Sequence, residues 1–204
     1  MTHRHGKLAA GWVGGFLAVL ATAGSVAASE TPDASIEQCL ACHRAGNPAA
    51  AVPLLEGQNE GYLRNQLRAF RESHREGFPM PAFAVDLDDA TINTYAATLA
   101  ALPWEQAPGK SDAGADHAAG AQALERHDCA SCHGAAYLGA GDIPRLAGQN
   151  REYLTRQLRD FAREGRHHPP VGTGARMHHL EESEAEAIAG YLAALRIAPP
   201  SESR

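Results

Sequence analysis

Cys39-Leu40-Ala41-Cys42-His43 and Cys129-Ala130-Ser131-Cys132-His133 are one pattern written twice, 90 residues apart. They hold all four cysteines of the 204-residue chain. A longer match follows each. Pro53-Leu54-Leu55-Glu56-Gly57-Gln58-Asn59 parallels Pro144-Arg145-Leu146-Ala147-Gly148-Gln149-Asn150. Tyr62-Leu63, Gln66-Leu67-Arg68 and Phe70 return 91 residues later as Tyr153-Leu154, Gln157-Leu158-Arg159 and Phe161. Towards each end, Ile92, Tyr95 and Leu99 align with Ile188, Tyr191 and Leu195, 96 residues on, so the loop after Phe161 is expected to be the longer one. Two tandem copies follow. The Tyr62–Phe70 and Tyr153–Phe161 apolar positions each form one helical stripe, as do Ile92, Tyr95, Leu99 and Leu102. Asp88 is placed to cap one last helix, and Ser183 with Glu186 reads as a capping box for the other. Helices near Ser35–Cys42 and Ala118–Cys129 lead into the cysteine motifs. No stretch alternates cleanly enough for a strand, so the expected fold is all-α.

Composition narrows the class. The net charge of −6 argues against a nucleic-acid binder, which shows a basic face. Aromatic residues make up 6% of the chain, few for two protein-only cores, and small domains in that position need a staple or a bound group. The N-terminus reads as a targeting leader: a basic start (His3, Arg4, His5, Lys7), an uncharged stretch Leu8–Ala28, and small residues Val26-Ala27-Ala28 before the cut. The expected divisions are a signal peptide 1–28, a first domain 29–108, a second domain 109–198 and a loose tail 199–204. An uncleaved membrane anchor is the alternative for the leader, but its glycines, serine and threonine make it weakly apolar. Removing it leaves 16 basic and 24 acidic residues.

Cys-x-x-Cys-His is the attachment signature of c-type haem. Two thiols three residues apart lie on one helical turn and can both add to vinyl groups on one porphyrin edge. The histidine that follows is then placed as proximal iron ligand. Two Cys-x-x-Cys pairs could instead bind one zinc, but each sits inside its own repeat. Redox dithiols of the thioredoxin kind need a βαβ setting, which is missing. Simple disulfides leave both histidines unexplained. The expected attachment and ligand residues are therefore Cys39, Cys42 and His43, and Cys129, Cys132 and His133, with two covalent haem c groups.

After the leader, the chain contains two methionines, Met80 and Met177, each in the irregular stretch before its copy's last helix. A thioether is a soft ligand that raises the potential of haem iron. Met80 and Met177 are the expected sixth ligands. Around Met177 lie His167, His168, His178 and His179, any of which could bind iron instead, and His74 is the comparable rival of Met80. Pro53 and Pro144 follow the proximal histidines by 10 and 11 residues, and their carbonyls can fix the imidazole tautomer. Arg64, Arg68, Arg71 and Arg75 share one helix face, as Arg156, Arg159, Arg163 and Arg166 nearly do. They could pair with haem propionates or a redox partner, or form a solvated face with local pairs such as Arg68–Glu72; the solvated face is the favoured reading except for Arg68 and Arg159, which recur in register.

This order of motifs resembles class I cytochrome c. Present twice after a leader, it is similar to the dihaem cytochrome c4 family. The resemblance covers nearly the whole chain after the leader. It implies two tandem all-α class I cytochrome c domains, each wrapped around one covalent haem, with the haems meeting across the domain interface. It also implies periplasmic electron transport rather than enzymatic chemistry. The partners implied are redox proteins, namely a respiratory complex, a terminal oxidase or a periplasmic dehydrogenase, with any membrane association through a partner. The leading expectation is a free one-electron shuttle. The alternative is the electron-accepting subunit of a periplasmic dehydrogenase, for example of a sulfur compound. A haem enzyme is a third reading, and it needs an open iron position.

Overall fold

Eight helices form among the residues described by the computed structural model, which are 1–2, 34–47, 51–104, 115–168 and 179–196. In chain order they are α1 (Ala34–His43), α2 (Glu60–Arg71), α3 (Met80–Ala84), α4 (Asp89–Ala101), α5 (Ala115–Arg126), α6 (Ala130–His133), α7 (Arg151–Ala162) and α8 (Glu182–Ala194). Among these residues the sole β feature is an isolated bridge between Ala140 and Ile143. The fold is all-α, as expected of two tandem class I cytochrome c domains. Met177, leader residues 3–28, the 108/109 boundary and the tail 199–204 lie outside the described residues.

Each half has its own core. In the first, Ile36, Leu40, Leu63, Ala96 and Leu99 pack together. In the second, Leu124, Leu154, Leu180, Ile188 and Leu192 do so with small alanines between them. These cores place α2 and α1 against α4, and α7 and α5 against α8. Gly120 permits a close approach of α5 to α8. A Cβ there would lie 2.7 Å from Tyr191 Cβ and closer still to the Ala187 carbonyl.

The last helices differ from the expected alignment. Asp88 accepts the Thr91 N–H at 2.8 Å and caps α4. The α8 box is Glu181 with Glu184, not Ser183 with Glu186, because the helix starts two residues earlier. Asp88 and Glu181 are 93 residues apart. The Gly57 N–H donates to Leu99 O and the Gly148 N–H to Leu192 O, again 93 apart. Leu99 therefore corresponds to Leu192, not Leu195. A slip of three residues keeps nearly the same helix face, so periodicity could not detect it.

Candidate haem sites

α1 carries Cys39 and Cys42 on one turn and ends on His43. Cys39 is half-buried, and burial pushes its thiol pKa up. Cys42 is exposed. His43 is buried, and its Nδ1 lies 2.8 Å from Pro53 O. A carbonyl can only accept, so Nδ1 carries the proton and Nε2 is left as the ligating nitrogen. Burial lowers the His43 pKa, the bond to Pro53 opposes this, and Arg75 adds to the lowering. The ring is held in the neutral form that binds a metal.

The second site repeats this chemistry on a different element. Cys129 caps the short α6, Cys132 lies within it, and buried His133 ends it. His133 Nδ1 donates to Pro144 O at 3.0 Å, and burial lowers its pKa against that bond. All four cysteines are outside disulfides. Among the described residues no group of three or more His, Cys, Asp or Glu is placed to hold a metal ion, so the two cysteine pairs do not build one zinc site there.

Met80 is the first residue of α3 rather than part of an irregular loop, and its N–H donates to Gly77 O at 2.8 Å. A cleft of about 500 Å³ opens beside it, with Arg75, Gly77, Phe78 and Pro81 in its lining. His74 is exposed and lies 3.4 Å from Glu72. His167 and His179 are exposed, and His178 lies outside the described residues. His168 is different: it is half-buried, 6.2 Å from the His133 ring centre, and edge-on to Phe161 at 4.9 Å. Burial, then His133, then Arg166 lower its pKa.

The two halves meet through pairs related by the repeat. Gln58 grips the Arg145 backbone, its Nε2 donating to Arg145 O at 2.9 Å and its Oε1 accepting the Arg145 N–H at 2.7 Å. Gln149 grips Leu54 in the same way at 3.0 and 2.8 Å. Leu54 and Arg145 are themselves repeat partners, so the joint has the reciprocity of a two-fold interface. At its centre the Tyr62 and Tyr153 hydroxyls lie 3.4 Å apart. Arg75 donates to Gln66, Tyr153 and Gln157, while Arg166 donates to Gln157, Tyr62 and Gln66. Each guanidinium also covers a ring of its own half, Arg75 on Phe70 and Arg166 on Phe161. Burial works to raise the Tyr153 pKa, but Arg75 and Arg166 outweigh it and bring it down to about 8, whereas Tyr62 is pushed up by burial.

Arg68 and Arg159, which recur in register, do not reach across the joint. Arg68 reaches Asp89 rather than Glu72, and Arg159 pairs with Glu182 and Glu186, so both serve their own half. Arg75 and Arg166 are a repeat-related pair that crosses; Arg156 crosses too, donating to Ala51 O at 2.8 Å, and Arg145 lies over the Trp104 ring of the first half. Arg75 and Arg166 too are 91 residues apart, a register that the sequence contained. The Nε atoms of Arg75, Arg145 and Arg159 are buried with no hydrogen-bond partner. Spare buried cationic donors near the histidine sites fit an acidic haem edge, and with the thiol pairs and neutral imidazoles they make the residue set suited to haem c.

All-α halves, each presenting a Cys-x-x-Cys-His turn whose histidine is fixed by a proline carbonyl, define a c-type cytochrome. The cytochrome c family model matches residues 117–196. The chain is 32% identical to the thiosulfate dehydrogenase electron acceptor of Thiomonas intermedia, over 84% of both chains. It is 37% identical to the protein of that description in Stutzerimonas stutzeri, over 76% of this chain and 77% of that one. Cytochrome c4 of Thiocapsa roseopersicina is 32% identical, over 77% of this chain and 86% of that one. The solved cytochrome c4 of Acidithiobacillus ferrooxidans superposes with a TM-score of 0.68 at 30% identity, covering 78% of this chain and 99% of that one. A thiosulfate dehydrogenase structure from Marichromatium purpuratum gives 0.69 at 31% identity, covering 80% of this chain and 37% of that one. The chain belongs to the dihaem cytochrome c4 family and is a periplasmic electron-transfer protein. Among the described residues no helix is long and apolar enough to cross a membrane.

Proposed function

We propose that the chain is the electron-accepting cytochrome of a thiosulfate-oxidising dehydrogenase. The observation that carries this is the pair of relatives described as thiosulfate dehydrogenase electron acceptors, which match along most of their length. They favour the subunit reading over the free shuttle.

The reading includes two covalent haem c groups, one in each of two domains, 29–108 and 109–198, following a leader 1–28. Each haem, when bound, supplies one-electron iron chemistry. Cys39 and Cys42 hold the first, with His43 as proximal ligand and Met80 as the sixth. Cys129, Cys132 and His133 hold the second. Pro53 and Pro144 keep each proximal imidazole in its ligating tautomer. Arg75 and Arg166 place guanidinium groups at the joint, and the unpaired Arg75 Nε would be the donor there for an acidic haem edge.

The test is reduction of the oxidised holoprotein by a purified thiosulfate dehydrogenase with thiosulfate, followed by haem absorbance in a stopped-flow instrument. Rapid reduction of both haems that needs enzyme and substrate together is expected. Reduction no faster than with thiosulfate alone would overturn the reading and return the chain to the free-shuttle class.

A further inference from the structure

We infer that His168 is the second axial ligand of the haem held by Cys129, Cys132 and His133, in place of the methionine that the motif order suggests. This rests on the haem assignment above.

The first ground is distance. Two imidazoles sharing one metal each sit about 2 Å from it through nitrogen, which puts their ring centres roughly 6 Å apart. The His133 and His168 ring centres are 6.2 Å apart. His133 has committed Nδ1 to Pro144 O, so Nε2 is its remaining ligating atom. The Phe161 ring braces His168 edge-on.

The second ground is the internal repeat, which supplies a control within the same molecule. After α2 and α7 the backbone follows one path: Ser73 and Glu164 both have φ of +57°, and the Arg75 and Arg166 N–H groups bond to Ala69 O and Asp160 O. In this register the counterpart of His168 is Gly77. A Cβ on Gly77 would lie 3.2 Å from Phe70, the counterpart of Phe161. The first half therefore has no donor at this position, while the second half carries an imidazole there.

The third ground removes the case for Met177 by analogy. Met80 precedes its helix cap Asp88 by eight residues, whereas Met177 precedes Glu181 by four. The two methionines are not repeat partners.

The experiment reads the far-red charge-transfer absorption that methionine sulfur gives with ferric haem, per haem, in the full holoprotein. Haem content is measured alongside by pyridine haemochrome. Two haems per chain with band intensity for one are expected. Met177→Leu is expected to leave the band and both potentials unchanged. His168→Ala is expected to turn one low-spin haem high-spin, and the potential of that haem should rise. Band intensity for two haems, or its halving in Met177→Leu, would overturn the ligand assignment alone. Fewer than two haems per chain would overturn the haem assignment with it. If His168→Ala does not fold, the wild-type intensity and Met177→Leu still decide.

Discussion

Gln58 and Gln149 lie close to full burial, at 3% and 2% exposure. A primary amide in such a place must satisfy both its donor and its acceptor. Each does so on the backbone of the other half. Gln149 Oε1 also accepts the Asn150 N–H at 2.8 Å. Gln149→Leu would keep the volume but leave the Leu54 N–H and C=O buried and unpaired. Each such loss costs about 1–3 kcal/mol. The variant should lose at least about 2 kcal/mol in denaturant unfolding of the holoprotein; a loss below 0.5 kcal/mol would mean that water replaces the amide and the joint is looser than drawn. The Gly-Gln-Asn repeat was legible in the sequence, but its meaning was not. Nothing in one copy says that its glutamine folds onto the other copy, because a reciprocal contact is a property of the pair.

At the scale of helices, a close crossing and a reciprocal cap both involve α8. Gly120→Ala ordinarily favours a helix by about 1 kcal/mol. Here the added methyl would meet Tyr191 Cβ and the Ala187 carbonyl, and overpacking of this kind costs about 1–3 kcal/mol. A lowered Tm is expected, and a raised Tm would show that α5 and α8 can separate freely. Glu184 reaches back to the Glu181 N–H at 3.2 Å and also meets Arg126, the last residue of α5, and His127 just after it. Burial opposes its charge, but Arg126, the Glu181 N–H and His127 outweigh burial and hold its pKa below the ordinary 4.5. A depressed carboxylate pKa adds stability at neutral pH, and that stability is lost as pH falls through the folded value. Glu184→Gln should therefore cost about 1 kcal/mol at pH 7 and progressively less below pH 4.5, as read by unfolding at several pH values. The existence of the long helices was readable from periodicity, whereas the short α3 and α6, at five and four residues, are too brief to show a period. Helix register was not readable, as the three-residue slip between Leu192 and Leu195 shows, because the deciding bond comes from the Gly148 backbone, which periodicity does not encode.

For the molecule as a whole, charge is shared unequally between two halves of similar fold. Ser29–Pro108 holds 5 basic and 11 acidic residues, whereas Gly109–Arg204 holds 11 and 13. Arginines at the joint are spent on partners inside the protein, so the excess acid of the first half is what a docking protein meets. There Glu76, Asp86 and Asp88 are exposed in the same stretch of chain as Phe78, Phe83 and Val85, which are 95%, 68% and 58% exposed. Exposed carboxylates beside exposed apolar side chains speed encounter with a basic surface, and salt screens that attraction over about 8 Å at physiological ionic strength. Reduction by the dehydrogenase should then slow by roughly tenfold between low and physiological salt. Neutralising two of these carboxylates with Glu76→Gln and Asp86→Asn should flatten that dependence while leaving haem content and Tm unchanged. The matching change on the second half, Glu152→Gln with Glu164→Gln, should leave the salt dependence as it was. Equal effects from the two pairs would show that the dehydrogenase does not distinguish the halves, and the charge asymmetry would then have no part in choosing which haem is reduced first.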